Sequence, residues 1–181
     1  MAKEGFYTVD IAGVKKDLPI CPLNGNLSIA GFVLFGDVEI TVHAAKELLA
    51  RLPEFDYILT PEAKSIPLAY EMSRQSGKKY FVARKKEKVY MRNPVRVSVQ
   101  SITTKGEQTL ILDGNDGEEL RGKRIVLVDD VISTGESLRA LERLADAFEC
   151  NVVAKASVLA EGDAYNREDI TVLGFIPLIE N

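Results

Sequence analysis

The sequence predicts an α/β protein built on one central parallel sheet, and three observations lead to that prediction. Strand-like and helix-like segments alternate through the middle of the 181 residues, which is typical of a parallel sheet flanked by helices. The run Ile125–Val128 is apolar and mostly β-branched, as expected for a strand buried on both faces. With 46% hydrophobic residues and no Pro/Gly-rich linker, residues 1–181 are predicted to form a single domain.

The first 36 residues are predicted to be extended segments joined by turns. Pro19 and Pro22 exclude a helix there, and Asn24-Gly25 predicts a turn. The apolar segments that we interpret as extended are Phe6–Val9, Leu18–Leu23 and Ile29–Phe35.

From residue 38 onward, helices and strands alternate. Apolar residues at helical spacing predict a helix over Val38–Leu52, ended by Pro53, and another over Ile66–Gln75, closed by Gly77. A basic loop at 84–94 precedes a predicted hairpin with its turn at 104–106. The predicted strands are Tyr57–Leu59, Tyr80–Ala83, the hairpin strands Val95–Ile102 and Thr109–Leu112, the run at 125–128, and Val152–Leu159 after a helix from Glu136 to about Phe148.

The residues that follow the apolar run at 125–128 carry the clearest chemical signal. Asp129 and Asp130 come directly after it, and a turn then opens the next helix with Ser133, Thr134, Gly135, Glu136 and Ser137. Ligands of open parallel sheets bind outside the carboxyl ends of the strands, and a helix N-terminus offers free N–H groups and a positive dipole to a phosphate. Adjacent carboxylates can hold sugar hydroxyls or, through water, a magnesium ion. The segment therefore predicts a phosphorylated ribose as ligand.

Two other interpretations of this segment compete with a sugar-phosphate site. In the first, Asp129 and Asp130 are merely solvated; two adjacent acids at the end of an apolar strand are costly, however, unless something uses them. In the second, the acids belong to a phospho-acceptor receiver domain, in which such a pair lies near the N-terminus. Here the pair lies two-thirds of the way along the chain, which disfavours that interpretation.

Residues 125–137 resemble the phosphoribosyl-pyrophosphate (PRPP) signature of the type I phosphoribosyltransferases, in which an apolar strand, Asp-Asp, a few residues and Thr-Gly follow in order. The resemblance extends from about residue 18 to 176. It implies the type I phosphoribosyltransferase fold, with a small hood from about 6–36 and 160–181 and a mobile lid over about 86–109. It also implies PRPP and a purine base as substrates, Mg²⁺ as cofactor and a homodimer.

The resemblance also implies roles for individual residues. Asp129 and Asp130 are the expected catalytic residues that hold the ribose hydroxyls and, through water, the metal, while residues 133–137 bind the 5′-phosphate. The loop 60–65 resembles the pyrophosphate loop of the family. The residues expected to bind pyrophosphate are Ala63, Lys64, Arg84, Lys85 and Lys88, and the four cationic side chains among them would neutralise its charge.

Adenine-specific members often carry a Tyr-Glu pair in the lid, and this chain lacks it. Its polar residues there are Ser101, Thr103 and Gln108, so that no general acid or base is assigned.

The base is expected to be read by Leu23 and Asn24 in the N-terminal hood and by Glu161. The hood and lid resemble those of xanthine phosphoribosyltransferases most closely. Where 6-oxopurine enzymes place a lysine that donates to the purine O6, however, this chain has Glu161. An ionised carboxylate can only accept, which favours the amino group of adenine. The alternative is a xanthine or other 6-oxopurine enzyme in which Glu161 is solvated and backbone groups near Leu23 and Asn24 read the base.

Composition excludes several other classes. A net charge of −4 and a pI near 5.2 argue against nucleic acid as a partner. No apolar run approaches the length of a membrane span, and residues 1–5 lack an apolar signal core. Cys21 and Cys150 do not make a disulfide framework, so that a cytoplasmic location is expected. A non-catalytic PRPP-sensing regulator remains an alternative, although such proteins normally append a DNA-binding module.

Overall fold

The computed structural model describes residues 5–99 and 108–180, and it divides them between a main sheet, a small sheet and a hairpin. The strands are β1 (Phe6–Ile11), β2 (Val14–Asn24), β3 (Leu27–Ala30), β4 (Tyr57–Pro61), β5 (Tyr80–Ala83), β6 (Val95–Val99), β7 (Gln108–Leu112), β8 (Arg124–Ile132), β9 (Asn151–Glu161), β10 (Thr171–Ile176) and β11 (Leu178–Glu180). The α-helices are α1 (Val38–Arg51), α2 (Ile66–Ser76), α3 (Gly114–Leu120) and α4 (Glu136–Ala147), and a 3-10 helix covers Gly162–Asn166.

The main sheet has the order β10-β9-β8-β4-β5, and all of its strands are parallel. Helix α2 connects β4 to β5, and α4 connects β8 to β9. Because all five strands point the same way, the loops after β4, β5, β8 and β9 meet at one edge of the sheet. The predicted α/β class with a central parallel sheet is confirmed.

The small sheet has the order β1-β2-β3-β11 and is antiparallel. The predicted turn at Asn24-Gly25 is confirmed, because β2 ends at Asn24 and β3 begins at Leu27. Pro19 and Pro22 both lie in β2. The extended segment predicted to reach Phe35 ends at Ala30 instead, and residues 31–36 form an irregular connection.

Residues 160–180 divide between the two sheets. Strand β11 pairs with β3, with Leu178 opposite Ile29, so that the small sheet combines strands from the first and last parts of the described chain. Strand β10 instead runs parallel to β9 in the main sheet, because its apolar residues Val172 and Leu173 pack against the cores on either side of that sheet. The hood expected from residue 160 onward therefore receives only β11 among the C-terminal strands.

The two predicted helices in the first half of the chain are confirmed, and their ends have clear causes. Helix α1 begins after Asp37, whose side chain accepts from the N–H of Ile40 at 3.2 Å. Helix α2 ends at Gly77, which adopts φ +70°. The hairpin of β6 and β7 is also confirmed; its turn at 104–106, together with Ser101 and Thr103, lies outside the described residues.

Candidate active site

Asp129 and Asp130 are the sixth and seventh of the nine residues of β8, near the edge where the strands end. They were expected directly after the strand, but the strand continues to Ile132. They are 8% and 4% exposed, because β8 is flanked by β4 and β9. The N–H of Asp130 donates to Asp129 Oδ1 at 2.8 Å. The Lys64 Nζ atom lies 2.8 Å from Asp130 Oδ2. The structure therefore brings together the carboxylates and the lysine that the sequence assigned to one ligand.

The buried position of the acid pair has an electrostatic consequence. Burial raises the pKa of Asp129 well above its usual range, and the adjacent Asp130 carboxylate raises the pKa further. The Asp130 Oδ2 atom is buried and receives no hydrogen bond from the residues described here, since the Lys64 ammonium approaches it as an ion pair only. A second cation beside the pair would favour the ionised form of Asp129 and would give Asp130 Oδ2 a partner.

The acid pair has the donor chemistry of a magnesium site. Mg²⁺ is commonly held by one or two carboxylates together with water and substrate phosphates. Asp129 and Asp130 supply such carboxylates, and Asp130 Oδ2 accepts no hydrogen bond from the described residues. Among the described residues no cluster of three acidic, histidine or cysteine side chains exists that could hold a metal, so that other ligands would have to come from water and substrate.

The loop after β4 presents Ala63 and Lys64 at the same edge. Thr60 Oγ1 lies 2.8 Å from both Ser65 Oγ and the carbonyl oxygen of Val128 in β8, and Ser65 Oγ donates to Pro61 O at 2.9 Å. These buried hydroxyls fix the loop against the signature strand. The Glu62–Ala63 peptide bond is cis. No side chain caps the first turn of α2. Because the N–H of Ile66 donates to Ala63 O at 3.2 Å and Pro67 has no N–H, few amides of this turn remain for an anion.

Glu62 organises the cations that follow β5. Its Oε2 accepts from the N–H of Lys85 at 2.9 Å and lies 3.2 Å from Arg84 Nε. The hydrogen bond from Lys85 N, with help from Arg84, lowers the pKa of Glu62. Arg84 Nη1 also donates to the hydroxyl of Tyr90 at 2.8 Å. Arg84 is thus engaged by the protein, whereas the Lys85 side chain is exposed and Lys88 is half-buried farther along the loop.

The turn between β8 and α4 is built for close approach. Gly135 adopts φ +80° and forms the N-cap of α4, and no side chain caps that helix. The amide groups of residues 133–137 are therefore available to an anion. Arg139 donates to the carbonyl oxygen of Thr134 at 3.0 Å and pairs with Glu136.

A cleft opens beside this turn, between β6 and α4. It has a volume of about 350 Å³ and is lined by Val97, Ser98, Glu136 and Arg143. Arg143 reaches across to the carbonyl oxygen of Ser98. The described part of the expected lid thus packs against the helix that carries the phosphate turn.

The residues expected to read the base come from separate elements. Glu161 ends β9 and is half-buried, whereas Leu23 and Asn24 lie exposed at the tip of the β2–β3 hairpin. Strand β11 lies between the N-terminal hairpin and the end of β9. Its Leu178 pairs with Ile29 in β3, and the Leu178 side chain lies 3.1 Å from the position that a Cβ on Gly162 would take.

Sequence reasoning missed three charged residues near this edge. Glu62 could have been found, because it lies in the loop that already held Lys64. Arg139 has a weaker signal, its spacing of three residues from Glu136 on one helix. Arg167 gave no signal in the sequence, yet its Nη1 atom lies 2.6 Å from the position that a Cβ on Gly135 would take.

The fold and the site together define the class of protein. One edge of a parallel sheet offers two buried carboxylates, a lysine and two uncapped helix N-termini, an arrangement suited to a phosphorylated sugar. The model of the phosphoribosyl transferase domain family matches residues 39–178.

Sequence relatives narrow the class to enzymes that act on purines. The hypoxanthine/guanine phosphoribosyltransferase of Methanosarcina mazei is 33% identical over 135 residues, which cover 72% of this chain and 68% of that protein. The adenine phosphoribosyltransferase of Thermosipho africanus is 29% identical over 165 residues, covering 90% and 93%. The chain therefore belongs to the phosphoribosyltransferase family, in its type I purine branch, and is a pentosyl-transferring enzyme.

Solved structures support the same fold. The adenine phosphoribosyltransferase of Saccharomyces cerevisiae, in complex with adenine and an imino-altritol bisphosphate, superposes with a TM-score of 0.67 at 16% identity, covering 96% of this chain and 94% of that one. The enzyme from Thermoanaerobacter pseudethanolicus gives 0.65 at 19% identity, covering 96% and 97%. At such identities the likeness establishes the fold. No helix in the described part of the chain is long and apolar enough to cross a membrane.

Proposed function

We propose that this enzyme transfers the phosphoribosyl group of PRPP to adenine and releases AMP and pyrophosphate. The observation that carries the proposal is the grouping of Asp129, Asp130 and Lys64 beside the uncapped N-terminus of α4. Such a grouping offers acceptors for the ribose hydroxyls, donors for the 5′-phosphate and a cation for the pyrophosphate.

Each group has a part in the reaction that we propose. The carboxylates of Asp129 and Asp130 accept from the 2′- and 3′-hydroxyls, and the amides of residues 133–137 hold the 5′-phosphate. The bond from C1′ to pyrophosphate breaks, the bond from C1′ to the base nitrogen forms, and that nitrogen releases its proton to the leaving group or to solvent. Positive charge develops on the ribose during this exchange, and buried carboxylates stabilise it. Water would intercept that ribose, so the site has to close during turnover.

The pyrophosphate that leaves carries the largest charge in the reaction. Lys64 and the exposed Lys85 are the cations that we assign to it, with the loop amides at Ala63 as further donors. Arg84 would contribute after exchanging its contact with Glu62 or Tyr90, and Lys88 would act at longer range. Mg²⁺, held through water by Asp129 and Asp130, would neutralise the charge that develops on the leaving group.

Lys64 has a second role in this proposal. Without ligand its ammonium compensates the buried Asp130 carboxylate, and once PRPP binds the lysine would turn to the pyrophosphate. The pairing therefore places a cation beside the buried Asp130 carboxylate until the substrate arrives.

The assignment of adenine rests on Glu161. Its backbone is extended at the end of β9, the strand that pairs with the signature strand. A carboxylate there accepts from the 6-amino group of adenine, directly or through water, and repels the O6 of hypoxanthine, guanine and xanthine. A site built for one polar pattern rejects the wrong analogue strongly, because its own groups are left unpaired.

The test is a comparison of kcat/KM for adenine, hypoxanthine, guanine and xanthine. Wild-type enzyme should prefer adenine by at least about 100-fold, and Glu161→Lys should narrow or invert that preference. Asp163→Lys is the matched control, because it makes the same charge change two residues away on an exposed side chain and should leave the selectivity unchanged. A Glu161→Lys variant with wild-type selectivity would move base recognition to backbone groups near Leu23 and Asn24.

A 6-oxopurine substrate is the second candidate. The relative from Methanosarcina mazei is named for hypoxanthine and guanine, and the hood and lid sequences resemble those of xanthine enzymes. A wild-type preference for any of these three bases in the same assay would replace adenine and leave the PRPP site as proposed.

The proposal also includes a cytoplasmic homodimer, as the family resemblance implies. Size-exclusion chromatography with light scattering would test the dimer, and a mass near the 20.0 kDa of one chain would contradict it.

A further inference from the structure

Arg167 places a guanidinium directly against the phosphate turn. It follows the 3-10 helix, beyond the carboxyl end of β9. A Cβ added to Gly135 would lie 2.6 Å from Arg167 Nη1, so that this nitrogen occupies the space that glycine leaves open. Gly135 is thus required both by its φ of +80° and by the closeness of a cation that is remote in sequence.

A network of ion pairs fixes the direction of that guanidinium. Arg167 Nε and Nη2 donate to the two oxygens of Asp169 at 2.9 and 2.8 Å. Lys155 Nζ lies 2.8 Å from the same carboxylate and 2.5 Å from Glu142 on α4. These contacts lower the pKa of Asp169, most through Arg167 and next through Lys155. Asp169 is therefore an ionised anchor shared by two cations.

The anchor leaves one end of the arginine without a protein acceptor. The fork formed by Nε and Nη2 is satisfied by Asp169, whereas Nη1 makes no hydrogen bond within residues 5–99 and 108–180. A guanidinium carries two N–H groups on that nitrogen. Both are available at the turn where the amides of α4 begin.

A second guanidinium borders the same turn. Arg139 Nη1 lies 3.5 Å from the position of the added Cβ on Gly135, and Arg139 Nη2 donates to Thr134 O. Two cations thus converge on the positive end of the α4 dipole. Like charges in this arrangement repel, and a bound anion converts the repulsion into attraction.

We propose that Arg167, positioned by Asp169, donates through Nη1 to the 5′-phosphate of the substrate, with Arg139 as a second cation at the same phosphate. The inference rests on the proposed function and adds to it. Backbone amides give the subsite its shape, and the two arginines give it selectivity for a phosphorylated ribose over one without phosphate. The Asp169 pair holds Arg167 ready before the substrate arrives, which reduces the entropy lost on binding.

The test uses ribose 5-phosphate as the probe, because its binding depends on neither the purine base nor catalysis. Dissociation constants are measured by calorimetry for wild type and for Arg167→Gln, Arg167→Lys, Asp169→Asn and Arg139→Gln. The Arg167→Gln variant should bind about 10- to 100-fold more weakly, as expected for loss of a charge-assisted hydrogen bond. Arg167→Lys should recover part of the loss, since it keeps the charge without the fork. Asp169→Asn and Arg139→Gln should each weaken binding less.

Arg121→Gln is the matched control. Arg121 pairs with Glu118 and Glu149, away from the phosphate turn, and its loss should leave the dissociation constant unchanged. Melting temperatures without ligand show whether each variant is folded. If Arg167→Gln is unfolded, the Arg167→Lys and Arg139→Gln variants decide the question, because the proposal requires weaker binding in both.

The possible failures are distinguishable. Wild-type protein that binds neither ribose 5-phosphate nor PRPP would overturn the proposed function itself. If folded Arg167→Gln binds ribose 5-phosphate as tightly as wild type does, only the role of Arg167 is overturned. Tighter binding by Arg167→Gln would also overturn it, because the guanidinium would then be blocking the phosphate position.

Discussion

At the scale of single residues, the acid pair of β8 combines a cost to the free protein with a use in the complex. Asp129 and Asp130 are almost fully buried, and only the exposed ammonium of Lys64 compensates them among the described cations. Unpaired buried charge destabilises a fold. The pair is therefore best explained by a ligand that needs it, which is the argument that the sequence alone already supported.

The double variant Asp129→Asn with Asp130→Asn tests that argument. It should abolish turnover, because charge-assisted hydrogen bonds to the ribose are each worth about 1.5–3 kcal/mol. The ligand-free protein should stay folded, since asparagine preserves volume and removes the like-charge repulsion. Steady-state rates and circular dichroism check the two expectations. Retention of wild-type turnover would show that the site is wrongly assigned.

Side-chain pairing at the site was predictable only where it follows from topology. Lys64 and Asp130 were expected at one sheet edge because each follows a parallel strand, and they meet at 2.8 Å. The engagement of Arg84 by Glu62 and Tyr90 was not predictable, because it depends on the path of an irregular loop. Arg167 was missed for the same reason: 32 residues of sequence separate it from Gly135, and nothing in their spacing indicates contact.

At the scale of elements, the start of the signature strand is tied to its neighbour by one ion pair. Arg124 donates through its backbone N–H and through its guanidinium to Asp56, with distances of 2.9, 3.3 and 2.8 Å. The side-chain hydrogen bonds, followed by the backbone one, lower the pKa of Asp56 to about 2. Strands β4 and β8 are thereby aligned at the end opposite to the site.

This ion pair predicts a specific pH dependence. The folded pKa of Asp56 lies below the unperturbed value of 3.8, so the stabilisation is complete above that value and is lost as pH falls through about 2. Asp56→Asn should lower the free energy of unfolding at pH 7, and the difference from wild type should shrink as pH falls toward 2. Urea unfolding at several pH values measures it. A difference that is the same at pH 7 and pH 2 would contradict the ion-pair explanation.

Helix α3 shows what sequence periodicity cannot detect. It contains two glycines in seven residues, and no helix was predicted there. The structure explains why glycine occupies position 117: a Cβ there would lie 2.1 Å from the ring of Phe148. The helices and strands that were predicted correctly, such as α1, α2 and β5, have apolar patterns and clear boundary residues, whereas α3 is specified by close packing against the end of α4.

Gly117→Ala should therefore be destabilising. Forcing a methyl group into this contact costs on the order of 1–3 kcal/mol. A small gain in helix propensity offsets part of that cost. Gly25→Ala is the matched control, because nothing lies within 4 Å of its added Cβ. Thermal unfolding compares the two variants with wild type. Equal stability of Gly117→Ala and Gly25→Ala would show that Phe148 moves away freely.

At the scale of the whole molecule, the sheet order could not be read from the sequence, although the fold class could. Alternation of strands and helices predicts parallel neighbours, but it does not give their order. Strand β5 lies on one side of β4, whereas β8 and the strands after it are added on the other side. Strands β10 and β11 are adjacent in sequence, yet they join different sheets. That division depends on which apolar face each strand covers, and short strands do not reveal it.

The grouping of the site from four separate loops predicts that substrate stabilises the whole fold. A ligand that binds only the native state adds about 2.7 kcal/mol at a hundred times its dissociation constant, which for a domain of this size raises the melting temperature by roughly 5–10 °C. PRPP with Mg²⁺ should produce such a shift, and a chelator should reduce it, because PRPP then lacks the ion that the acid pair would hold. The Asp129→Asn, Asp130→Asn double variant is the control and should respond weakly. Differential scanning calorimetry measures all four conditions, and an unchanged melting temperature at millimolar PRPP would remove the basis for placing PRPP at this edge of the sheet.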